Sequence, residues 1–175
     1  MARKTDNVLT EGFLAELYNA AITDNYICSV VTNHMKDEYL PDQQYQQLTA
    51  ALKRYFMEYK MAPQYGVLEQ MLSQTRAVSE LLDEIRETST DTEPDALRDQ
   101  FENYLKLVRF KRIYKEIGKT FDNGEGMRAI KMMEQEAKDL STFTLKPDEF
   151  MDVAETFDDR LRDNKAKHDD NSRKK

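Results

Sequence analysis

The chain has 175 residues, 39% hydrophobic and 34% charged, with 33 acids against 26 bases for a net charge of −7. That length suits one domain, or one domain with an appendage, and the acidic balance excludes a wholesale nucleic-acid coat while leaving room for a local basic patch. A single cysteine, Cys28, excludes an internal disulfide and suits a reducing, cytoplasmic setting.

No apolar run approaches the roughly 20 residues needed to span a bilayer, and the opening MARKTDNVLTEG lacks the apolar stretch of a signal peptide. Glycine and proline are scarce (5 and 4) while helix-forming residues abound, which predicts an all-α protein. Eight Phe and nine Tyr are too many for a disordered chain.

Taken in order, residues 1–9 read as a disordered lead-in and 10–88 as a helical bundle of about five helices. Thr10 is a plausible N-cap for a first helix carrying Phe13, Leu14, Leu17, Tyr18 and Ala21 at helical spacing. Thr23 or Asp24 can cap a second, with Tyr26, Ile27, Val30, Val31 and Met35 on its apolar face. Leu40-Pro41-Asp42 is a turn followed by a cap. It opens a helix over about 43–60 with a band of Tyr45, Leu48, Leu52, Tyr55, Phe56 and Tyr59. Val67, Leu68, Met71 and Leu72 mark a fourth helix; Val78, Leu81, Leu82 and Ile85 mark a fifth.

The apolar-free connector 87–95 (ETSTDTEPD) is the best internal boundary, and Pro94 suits a first helical turn. A helical hairpin over 94–143 follows. Its first arm runs from Pro94 to Phe121, roughly 40 Å at 1.5 Å per residue. The arm's apolar residues fall in two sets, Phe101, Tyr104, Leu105 and Val108, then Phe110, Ile113, Tyr114, Ile117 and Phe121. The stretch 122–126 (DNGEG) breaks it, and the second arm carries Met127, Ile130, Met133, Ala137 and Leu140. Residues 146–175 read as a linker helix, with Phe150, Val153, Phe157 and Leu161 on one face, and a polar tail.

The motifs of chemistry are missing. None of the five glycines sits in GxxxxGK[ST] or GxGxxG, so no phosphate loop is expected. Cys28, His34 and His168 are too few and too scattered for a zinc site. Cys28 has no histidine on its own helix face to act as base, and reads as a buried structural cysteine. Acid groups such as Asp83, Glu84 and Glu87 read as solvated helix surface, so no catalytic, cofactor-binding or metal site is expected.

The first arm does carry a basic stripe, with Lys111, Lys115 and Lys119 on one face and Arg109 and Arg112 beside it. Two readings stand. One is solvated cations beside a core face, some paired with Glu116 or with Glu134, Glu136 and Asp139 of the second arm. The other is a contact for DNA phosphates or for an acidic partner.

The order of these pieces resembles the N-terminal domain of DnaB-type replicative helicases, in the divergent form carried by phages and mobile elements. In the first half the resemblance rests on Phe13-Leu14-x-x-Leu17, Tyr26-Ile27-x-x-Val30, Tyr39-Leu40-Pro41-Asp42 and the pattern from Gln44 to Phe56. In the second it rests on Tyr104-Leu105-Lys106 through Arg112, the turn Asn123-Gly124-Glu125, and Ala129, Met133, Glu136-Ala137 and Leu140. It spans about residues 10–145. The histidine common in the third helix of cellular members is replaced around Gln44 to Gln47, and Lys175 comes before any ATPase motor.

The resemblance implies a non-catalytic collar domain that pairs through its hairpin and docks primase or a helicase loader. The implied self-association residues are Leu105, Val108, Arg109, Arg112, Ile113, Ile130 and Met133. It implies a homo-oligomer (a dimer, or a hexamer with the motor), weak contact with single-stranded DNA, and no membrane. ATP and Mg would belong only to a motor domain outside this chain. The alternative expectation is a freestanding helical nucleic-acid-binding or loader-type accessory protein.

Overall fold

A computed structural model of the chain describes residues 11–146. The cap expected at Thr10, the lead-in over 1–9 and the linker helix and tail expected beyond Lys146 lie outside the described residues. The chain divides into two units, Met1–Thr144 and Leu145–Lys175. Among the described residues the fold is an all-α bundle of seven helices with no strand, all in the first unit.

The helices are α1 (Glu11–Thr23), α2 (Asn25–His34), α3 (Gln43–Tyr59), α4 (Gln64–Leu72), α5 (Arg76–Glu87), α6 (Pro94–Asp122) and α7 (Gly126–Thr142). A 3-10 turn at Asp37–Tyr39 joins α2 to α3.

Local chemistry sets the boundaries. Asp24 breaks the chain between α1 and α2, and its carboxylate accepts the Ile27 N–H at 2.8 Å. Asp42 does the same for α3, accepting the Tyr45 N–H at 2.9 Å. Pro94 is the first residue of α6, where its missing N–H is not needed.

Phe13, Leu14, Leu17, Tyr18, Ala21 and Ile22 of α1 are buried, as are Ile27, Cys28 and Val31 of α2. From α3, Tyr45, Leu48, Ala51 and Leu52 close over them. The aromatic band of α3 is buried only at its start, and Tyr59 at its end is exposed.

Buried polar groups in this core are paired. The Thr49 hydroxyl donates to the Tyr45 carbonyl at 2.7 Å, so the Tyr18 hydroxyl donates to Thr49 Oγ1. Asn19 donates to the Thr88 carbonyl at 2.6 Å and accepts from the Tyr65 hydroxyl at 2.7 Å, joining α1 to α4 and to the end of α5.

α6 belongs to the bundle only at its start. Leu97, Arg98, Phe101, Tyr104 and Leu105 are its buried residues. The Arg98 guanidinium donates to the Tyr26 hydroxyl at 2.8 Å and to Asp95 and Asp99 at 2.9 and 2.8 Å, fixing α6 to α2. The Tyr104 hydroxyl donates to the Tyr39 carbonyl, fixing α6 to the 3-10 turn. Beyond Leu105 α6 has no buried residue; it lies along α7, which runs antiparallel to it, and meets the 3-10 turn through Arg112 and Glu38.

Candidate interaction surfaces on the α6–α7 pair

The pair is held along a seam that an ion cluster marks. Arg109 Nε lies 2.6 Å from Glu136 Oε1, and its terminal amine donates to Glu136 Oε2 at 3.0 Å and to Asp139 at 3.2 Å. The Nε contact is close but not aligned as a hydrogen bond, so Oε1 has no hydrogen-bond partner and is satisfied by charge. Both carboxylates, Glu136 first, raise the Arg109 pKa above its ordinary value. Ala129 and Glu136 are the buried residues of α7, and a Cβ on Gly126 would stand 3.7 Å from the Phe121 ring.

The seam orients everything else, because successive residues on a helix step round by about 100°. In an antiparallel pair, residues one step past the seam turn to the same side on both helices. On α6 that side holds Phe110, Tyr114 and Phe121; on α7 it holds Ile130, Met133 and, at its edge, Met127. These six are between 42% and 70% exposed. Leu107 adds to the α6 edge, so seven of the eleven large apolar side chains exposed among the described residues lie on this pair. Phe101, Tyr104, Leu105 and Val108 turn the other way, so the apolar flank faces away from the bundle. Phe110 and Tyr114 sit with ring centroids 6.0 Å apart.

The opposite edge of α6 is basic. Lys111, Arg112 and Lys115 rim an open groove of about 350 Å³ against the 3-10 turn, lined inside by Leu14, Leu40, Tyr104 and Val108, with Tyr39 and Pro41 beside them. Arg112 pairs with Glu38 across it. Lys111 and Lys115 are exposed and form no ion pair among the described residues. Lys119 is exposed further along α6 and does not line the groove.

The structure therefore scatters the seven residues that the resemblance nominated. Leu105 is buried in the bundle, and Val108 is half-buried in the groove floor. Arg109 is in the seam, Arg112 is tied to Glu38, and Ile113 is half-buried. Only Ile130 and Met133 belong to the exposed apolar flank. Phe110, Tyr114, Phe121 and Met127, which complete that flank, were not nominated. The signal for the three aromatics was the second apolar set on α6, whose phase departs from that of the first, and Met127 stood in the apolar set of the second arm.

Elsewhere the chemistry-bearing side chains are placed for packing. Cys28 is fully buried, and burial pushes its thiol up to about 12. No group of His, Cys, Asp and Glu among the described residues could hold a metal ion. No helix among them is long and apolar enough to cross a membrane. No family model, curated protein or solved structure matches the chain.

Proposed function

We propose that the chain is a non-catalytic assembly module, the N-terminal collar domain of a DnaB-like replicative DNA helicase. In this reading α1–α5 form a compact bundle, α6 and α7 project from it as a hairpin, and a linker leads on to an ATP-dependent motor outside this chain. The module pairs subunits in the cytoplasm and docks primase or a helicase loader during DNA replication.

The observation that carries it is the exposed apolar flank of the α6–α7 pair. Single exposed apolar residues are ordinary, but a contiguous patch of three aromatic and three aliphatic side chains marks an interaction surface. Two copies that meet through this flank about a two-fold axis would bring the same apolar residues of each together.

Light scattering across a concentration series tests the assembly. The native chain should shift from monomer to dimer as concentration rises. Phe110→Asp combined with Ile130→Asp should remain monomeric with unchanged helicity, since both positions are exposed. A native chain that stays monomeric at every concentration rules the module out. The helicase assignment stands separately on the native gene, where a GxxxxGK[ST] segment encoded after Lys175 is expected.

The exposed Lys111, Lys115 and Lys119 favour a second reading, a freestanding nucleic-acid-binding or loader-type accessory protein. It requires affinity for single-stranded DNA that falls with salt and disappears on reversing those three charges.

A further inference from the structure

We infer that the groove between the 3-10 turn and α6 is a docking site for an acidic peptide segment of a partner protein, one with an apolar residue flanked by carboxylates. The inference concerns the edge of α6 opposite the apolar flank and does not depend on self-association.

Three observations select this occupant. The groove is open, at about 350 Å³, and falls at the small end of the ~300–1,000 Å³ range of ligand clefts. That suits one or two side chains rather than a folded surface. Its inner lining is apolar, with the buried Leu14, Leu40 and Tyr104 and the half-buried Val108, so an apolar anchor is removed from water there.

Its rim carries three cations, Lys111, Arg112 and Lys115, in a chain of net charge −7. The two lysines are unpaired among the described residues, whereas Arg112 already holds a carboxylate, that of Glu38. Glu38 thus occupies the position that an incoming carboxylate would take. Over the few ångströms of a groove rim this local field outweighs the acidic balance of the whole chain, because screening limits surface charges to about 8–10 Å.

A nucleic-acid strand fits the same groove less well. Phosphate contacts would use the three cations but leave the apolar floor uncovered. Of the two aromatic rings that line it, Tyr104 is buried and Tyr39 is half-buried with Lys36 over its ring, so neither stands open as a stacking platform, and Phe110 and Tyr114 lie on the other flank of α6.

The test is a random peptide library panned on the full chain and counter-selected on a Lys111→Glu, Lys115→Glu double variant, with an oligothymidine assayed beside it. Enriched peptides should share an apolar residue flanked by Asp or Glu. The best of them, followed by fluorescence anisotropy, should weaken about tenfold on the double variant. It should also weaken with salt, and bind more tightly to Glu38→Gln, which frees Arg112. Replacing the apolar anchor by Ser should abolish binding.

The inference is overturned if enrichment survives the double charge reversal, or if no acidic consensus emerges. It is equally overturned if Glu38→Gln leaves the affinity unchanged, or if only the oligothymidine binds in a Lys111- and Lys115-dependent way.

Discussion

Arg109 gathers two carboxylates of α7, Glu136 at 2.6 Å and Asp139 at 3.2 Å. The sequence offered Glu134 as a third partner, but on a helix Glu136 and Asp139, three apart, share a face that Glu134 does not. Glu136 is the buried member of the cluster. Arg109→Ala strands its carboxylate, and we expect a loss of about 1–2 kcal/mol, less than for a fully buried pair because Arg109 is one-third exposed. Urea denaturation followed by circular dichroism measures it. The double variant Arg109→Met, Glu136→Leu should recover most of the loss, since it removes the stranded charge with its partner.

Cys28 supplies the pH counterpart. Its folded thiol ionises only near 12, against an ordinary value of 9.0, because burial penalises the thiolate. The unfolded chain therefore gives up that proton first. The contribution to stability is constant below about 9 and declines as pH rises from there toward 12. Thiol labelling of the native protein at neutral pH should proceed no faster than global unfolding. Rapid labelling would contradict the burial.

The turn between α6 and α7 shows how far an element can be read from its glycines. Gly124 and Gly126 both read as helix breakers, yet they play different parts. Gly124 has φ +84°, in the left-handed region that glycine occupies freely, whereas Gly126 is the first residue of α7. Gly124→Ala should cost about 1 kcal/mol. Gly126→Ala puts a Cβ in ordinary contact with Phe121 at 3.7 Å and should be neutral or slightly stabilising. Thermal unfolding of the two variants separates them, and equal losses would refute the distinction.

The faces of α7 were harder to read. Met127, Ile130, Met133, Ala137 and Leu140 were the apolar positions its sequence displayed, and of these only Ile130 and Met133 were expected on a self-association surface. In the structure Ala129 and Glu136 are buried against α6, and Met127, Ile130, Met133 and Ala137 are exposed. Leu140 alone of the five is half-buried, beside Leu105 and Arg109 of α6, so the seam joins an ion cluster and a small residue to partly covered aliphatic side chains.

At the scale of the whole fold, the exposed large apolar side chains among the described residues divide into four outside the α6–α7 pair, Tyr26, Met57, Tyr59 and Met61, and seven on the pair, six of them on one flank. If copies pair there, mass action couples folding to association. The Tm of the native chain should then rise with protein concentration, and the Phe110→Asp, Ile130→Asp variant should lose that dependence. A native Tm independent of concentration would contradict the pairing.

By itself the sequence determined the helical class, the Asp42 cap, the start of α6 at Pro94 and the break around Gly124, and it narrowed the cap of α2 to Thr23 or Asp24. All of these rest on interactions within a few residues of chain. Only the tertiary structure decided which face of α6 the bundle covers, that Arg109 is spent within the chain rather than offered outside it, and which apolar residues remain on the surface. The physical reason is that α6 and α7 each carry more apolar surface than one contact can bury. Periodicity shows that a face is apolar, but which face is covered depends on where the neighbouring helices lie.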